Sequence, residues 1–139
     1  MNVPGDRLPV AVHRGPTATF WAELGEGRLV LQRCSACSRR FHRPRLVCPG
    51  CASTDWKWEQ SAGQGVVYTT TTVVRPVGAF SGEGPYTIVL VELDEGARVT
   101  GRVAASSDGS DAVAIGDRVR FVLGADHEGG PRVEFERVR

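Results

Sequence analysis

All four cysteines of this 139-residue chain fall between residues 34 and 51, as Cys34-x2-Cys37 and, ten residues later, Cys48-x2-Cys51. No other feature narrows the fold so far. Each C-x-x-C turn can aim two thiolates at one point, and four thiolates meet the tetrahedral preference of zinc at about 2.3 Å per bond. The spacer SRRFHRPRLV is long enough for a tight hairpin. A disulfide pair is disfavoured, because nothing in the chain signals export. A redox C-x-x-C opens a helix within a βαβ pattern, and none surrounds it. Rubredoxin-like iron uses the same ligands, so zinc against iron stays open. Full ligation leaves no coordination position for water and no thiol as a nucleophile. The site is therefore expected to be structural Zn²⁺ held by Cys34, Cys37, Cys48 and Cys51, with His42 a surface residue of the hairpin.

Charge adds a second constraint. Of 17 basic residues only Lys57 is lysine, and Arg33, Arg39, Arg40, Arg43 and Arg45 crowd the cysteines. A zinc ion with four thiolates carries a formal charge of about −2, which some of these arginines would offset. Others would offer a basic face, since a guanidinium grips phosphate or carboxylate with two bonds. The net charge of +1 argues against broad nucleic-acid binding. No apolar run approaches the ~20 residues needed to cross a bilayer. The start of the chain lacks a secretory pattern, so the cytoplasm is the expected location, away from membranes.

The rest reads as mainly β. Residues 1–15 are rich in Pro, Gly and charge and read as an extended arm that orders against a partner. Thr17 or Thr19 would cap a short helix carrying Phe20, Trp21 and Leu24, ended by Gly25 and Gly27. LVLQRC alternates like a strand into the first knuckle, and ASTDWKWEQ returns from the second with Trp56 and Trp58 on one face. Five further strands follow: 61–76 broken by Pro76, 85–93 with both sides covered, 97–104 with a bulge or bend at Gly101, 115–123 and 131–138. A polar loop spans 106–111. Five strands over about 80 residues fit a small closed barrel of the oligonucleotide/oligosaccharide-binding (OB) type. The expected division is arm and helix 1–27, zinc ribbon 28–60 and OB-fold 61–139.

In order along residues 20–123, FWAELGEGRLVLQRCSAC, RPR-x-x-CPGC, SAGQGVVYTTTTVVRP, PYTIVLVELDEGARVTGRV and IGDRVRFV resemble a known family. Its members carry a short N-terminal helix, a rubredoxin-like zinc ribbon and a C-terminal OB-fold. They serve as accessory subunits of thiolase-superfamily and related acyl-CoA enzymes. Two positions depart from its pattern: Ser38 stands where Gly commonly follows the second cysteine, and Arg43-Pro44-Arg45 replaces a common Pro-Pro-Arg. The resemblance implies three settings. One is a bridge between acetoacetyl-CoA thiolase and HMG-CoA synthase. Another is a partner of a thiolase-fold aldolase that cleaves a β-hydroxyacyl-CoA in steroid side-chain degradation. The third is a subunit of a multisubunit acyltransferase. In each, catalysis belongs to the partner.

The residues themselves agree on the negative. His13, His42 and His127 are scattered, and there is no G-x-S-x-G elbow, Walker loop or dinucleotide fingerprint. Asp94 and Glu95 sit at a hairpin tip, a poor place for acid–base work. The favoured reading is a noncatalytic subunit that activates a thiolase-fold aldolase of steroid side-chain degradation, in a heterotetramer or larger assembly. A thiolase/HMG-CoA synthase or acyltransferase complex is the alternative, and a nucleic-acid-binding OB module a second. Phe20, Trp21, Arg39 and Arg43 are the candidate partner contacts. Arg40, Arg43, Arg45 and Arg75 are candidates for gripping the phosphates of an acyl-CoA at the interface.

Overall fold

The computed structural model describes residues 15–82, 84–105 and 112–138. The expected arm, with His13, and the polar loop 106–111 lie outside the described residues. The chain opens with α1, Pro16–Gly25. Its start differs from the expected threonine cap: Gly15 is the N-cap without a side-chain bond, and Pro16 occupies the first turn. Proline suits that place because its fixed φ is helical and its missing N–H would be unpaired anyway. The end matches expectation. Gly27, at φ 85°, donates to the Leu24 carbonyl and Arg28 donates to that of Glu23, a Schellman closure.

A three-stranded sheet of order β2-β1-β3 follows, from β1 (Val30–Cys34), β2 (Arg40–Phe41) and β3 (Trp56–Gln60). The two-residue β2 had no signal in the sequence. It pairs Phe41 with Gln32 and Arg40 with Arg33. Beyond Gln60 the chain forms a closed barrel, β4-β5-β6-β8-β7, from β4 (Gln64–Val73), β5 (Tyr86–Leu93), β6 (Arg98–Val103), β7 (Arg118–Ala125) and β8 (Pro131–Arg137). β6 and β8 pair in parallel and the other neighbours are antiparallel, the five-stranded OB arrangement.

Two sequence expectations change here. β5 is sealed on one face by Val89, Val91 and Leu93, while Ile88 and Leu90 on the other are only half-buried. Gly101 makes no bulge, because the β5–β6 register runs unbroken from Ile88 to Glu92. It is glycine because a Cβ there would stand 2.7 Å from the Phe135 ring.

One core runs through helix, sheet and barrel. It joins Phe20 and Leu24 of α1 and Leu29 to Leu31 around β1 to Val67, Val91, Val99 and Phe135 of the barrel. Burying side chains of this size contributes roughly 1.5–3 kcal/mol each. The helix thus lies against β1 and β8 and closes one end of the barrel. A second, small cluster of Cys34, Phe41, Cys48 and Trp56 surrounds the metal centre.

Candidate metal centre and the loop it carries

The two C-x-x-C turns are built alike. In each, the N–H four residues after the first cysteine donates to that cysteine's carbonyl: Ser38 to Cys34 at 3.0 Å, Ala52 to Cys48 at 2.9 Å. In each, the first cysteine's own N–H donates five residues on, Cys34 to Arg39 and Cys48 to Ser53. The residue closing each turn has φ 63°, Ser38 in one and Ala52 in the other. Both keep a side chain in the left-handed region that glycine favours.

This geometry brings the four sulfurs within 4.8 Å of one another, with Cys34–Cys51 and Cys37–Cys48 at 3.6 Å. A disulfide needs about 2.05 Å. A tetrahedron with bonds of about 2.3 Å has edges of about 3.8 Å, so the donors fit zinc. The electrostatics fit as well. The backbone N–H of Cys37, then that of Ala36, overcome burial and draw the Cys34 thiol down to about 7. Burial pushes Cys48 up, but the N–H groups of Cys51 and Gly50 outweigh it and leave it below its ordinary value. The Ser53 N–H lowers Cys51, yet its sulfur neighbours push it up to about 12. A bare cluster resists full ionisation, and a divalent cation at its centre supplies the missing charge. His42 is no ligand and no surface residue. It packs on Phe20, ring centroids 4.9 Å apart, and burial, aided by the Arg43 charge, lowers its pKa to about 4.

Between the knuckles, residues 42–47 form a loop held by two side chains. Gln32, 1% exposed, uses its whole amide on the backbone of Arg45: Nε2 donates to the carbonyl at 2.7 Å and Oε1 accepts from the N–H at 2.8 Å. Trp56 Nε1 donates to the Leu46 carbonyl at 2.9 Å. The clasped loop turns outward Arg43, Arg45, Val47 and Leu46, the last 70% exposed. Residues 27–54 contain no Asp or Glu. Neither clasp was anticipated from sequence. The only signal for Gln32 was a polar residue on the alternating face of Val30 and Cys34.

The remaining candidates separate. Arg39 lies across the second knuckle, where a Cβ on Gly50 would stand 2.8 Å from its Nε. Arg40 is tied to Glu59 at 2.6 Å. Arg75 follows β4, which leaves the ribbon side at Gln64 and runs ten residues, roughly 30 Å of strand. Arg75 therefore belongs to the far end of β4, while Arg43 and Arg45 belong to the ribbon loop. Phe20 is 4% exposed and belongs to the core, so it is no exposed anchor; half-buried Trp21 stands edge-on to it at 5.5 Å. At the junction, Glu95 accepts from the Ser61 hydroxyl at 3.0 Å and from the Ala62 N–H at 2.8 Å. The hairpin-tip acid is a latch between ribbon and barrel.

Residues 21–57 match the family profile described as the ChsH2 rubredoxin-like zinc ribbon domain, and 58–124 the ChsH2 C-terminal OB-fold domain. A probable enoyl-CoA hydratase alpha subunit of Thermomonospora curvata is 45% identical over 92 residues, 64% of this chain. The chain spans only 28% of that relative's length. A DUF35 domain-containing scaffold protein of Methanothermobacter thermautotrophicus is 31% identical over 116 residues, 82% of this chain and 86% of its own. Among solved structures, a chain of the Ltp2-ChsH2(DUF35) aldolase superposes with a TM-score of 0.76 at 29% identity, over 91% of this chain and 97% of that one. A DUF35 protein of unknown function from Sulfolobus solfataricus, 14% identical with a TM-score of 0.62, shares the fold.

Proposed function

The chain belongs to the DUF35 family of ChsH2-type zinc-ribbon and OB-fold proteins, and from that premise we propose that it is a noncatalytic subunit which binds and activates a thiolase-fold enzyme. The enzyme in this reading is an aldolase acting on a β-hydroxyacyl-CoA from a steroid side chain, with the retro-aldol step carried by the partner. The observation that carries the reading is the likeness to a chain of the Ltp2-ChsH2(DUF35) aldolase over 91% of the molecule.

The zinc and the two clasps have a mechanical role here. They hold Arg43, Arg45, Leu46 and Val47 in one geometry before any partner arrives, which lowers the entropy cost of docking. Leu46 is the apolar anchor, and the arginines select a partner surface with acidic rims. Trp21 extends the contact. Arg43 and Arg45 remain the residues positioned to meet a CoA phosphate at such an interface, because Arg40 is held by Glu59 and Arg75 stands apart. The nucleic-acid alternative is weakened by the barrel's tyrosines: Arg98 covers the Tyr68 ring and Arg102 the Tyr86 ring, each at 3.8 Å. A ring already covered by a guanidinium offers one face fewer for a base to stack on.

The test is reconstitution. The tagged chain is co-expressed with thiolase-fold subunits from its host, and aldol cleavage of β-hydroxyacyl-CoA is assayed for each component and for the mixture. Activity only in the mixture is expected. Leu46→Asp should weaken the complex at least tenfold while zinc content stays at one per chain. Cleavage by the isolated chain, or no thiolase-fold subunit in the complex, would refute the proposal.

A further inference from the structure

β4 is paired on both sides along only part of its length. Gln64–Val66 face Arg118–Arg120 of β7. Val67 then donates to the Asp117 carbonyl and accepts from the Gly116 N–H. Tyr68 is the extra residue where the register slips between Val67↔Val91 and Thr69↔Leu90. From Thr69 to Val73, β4 pairs with β5 alone, and among the described residues no strand lies along its other side. Alternate residues of an antiparallel strand point their N–H and C=O groups to opposite edges, so this stretch displays donors and acceptors that no backbone group among the described residues takes up.

Between the Tyr68 bulge and Pro76 the edge itself carries none of the usual guards. Residues 68–74 read YTTTTVV, with no charge and no proline before Arg75 and Pro76. Tyr68 and Val74, at its two ends, are 47% and 66% exposed. We propose that a second copy of this chain pairs here, antiparallel, about a two-fold axis through Thr71. Thr70 then faces Thr72, Thr69 faces Val73, and Tyr68 faces Val74. All seven residues meet counterparts from the same segment, and the two exposed apolar ends cover each other. No like charges are opposed. A strand of other sequence would gain the backbone bonds without this match. The bulge at Tyr68 and Pro76 bound the seam, so pairing closes at two copies. Seven residues a side is well short of the roughly 20–30 of a standard interface, so association is weak and depends on concentration.

The test is sedimentation velocity of the full chain with zinc and no enzyme subunit, from low micromolar to near-millimolar concentration. The weight-average mass should rise from 15.0 kDa toward twice that value. Thr71 is exposed, so Thr71→Lys and Thr71→Glu should keep the wild-type circular dichroism. Each alone sets like charges on the axis and should hold the mass at the monomer value. An equimolar mixture of the two should restore the dimer. A constant wild-type mass, growth beyond two copies, or a dimer indifferent to both variants would overturn the proposal. Because no enzyme subunit is present, the result stands apart from the accessory role.

Discussion

Gln32→Ala isolates the clasp that shapes the loop. Gln32 is buried and its amide makes two bonds to one residue, at 2.7 and 2.8 Å. A typical intramolecular hydrogen bond contributes about 1 kcal/mol net, and a buried group left unpaired costs about 1–3 kcal/mol. If the loop swings out and water takes over both Arg45 groups, the loss is near 2 kcal/mol. If the Trp56–Leu46 bond and the metal hold the loop in place, both groups stay dry and the loss approaches 4 kcal/mol. Urea unfolding at fixed free zinc, followed by far-ultraviolet circular dichroism, reads the difference. Gln32→Leu fills the volume without restoring the bonds and should be destabilised by a similar amount. Either variant falling within 0.5 kcal/mol of wild type would refute the clasp as a determinant of stability.

Chelation of the metal should unfold the ribbon, since structural zinc contributes on the order of 10 kcal/mol to such modules; loss of the Trp56–Trp58 environment in fluorescence would report it, and an unchanged spectrum would contradict it. Gly101→Ala drives a Cβ to 2.7 Å from the Phe135 ring and should cost about 1–3 kcal/mol in thermal unfolding. His42 titrates at about 4 when folded against an ordinary 6.5. The unfolded chain binds the extra proton first, so stability should fall as pH drops from 6.5 to 4, by about 3 kcal/mol in total. Below 4 this contribution levels off, and His42→Phe should remove this part of the slope from the same pH series.

The metal ligands and the strands were readable because each rests on local chemistry. C-x-x-C turns place thiolates whatever surrounds them, and the alternation in PRVEFERV marks the buried Val133 and Phe135, whereas LVLQRC, which also reads as alternating, is buried on both faces from Leu29 to Gln32. What was not readable depends on parts distant in sequence. His42 is half-buried because α1, some twenty residues earlier, lays Phe20 on it, and no property of the hairpin says so. Arg40, Arg43, Arg45 and Arg75 look alike in a string, yet one is neutralised by Glu59 and another lies at the far end of β4. Gly101 was recognised as unusual, but its reason is a ring 34 residues later, so close approach and bend could not be separated beforehand.

The Ser61–Glu95 latch bears on how far the two halves are interchangeable parts. The ribbon's exit is finished by an acid from the tip of the β5–β6 hairpin, while Leu29 and Leu31 of the ribbon sit in the barrel's core. A ribbon excised at Gln60 would leave its last turn untethered and the faces of Leu29 and Leu31 wet, and a barrel excised there would gape at one end. Grafting a foreign ribbon onto this barrel, to redirect it to another enzyme, would have to carry a serine at the seam and a matched pair of apolar faces, not merely the four cysteines.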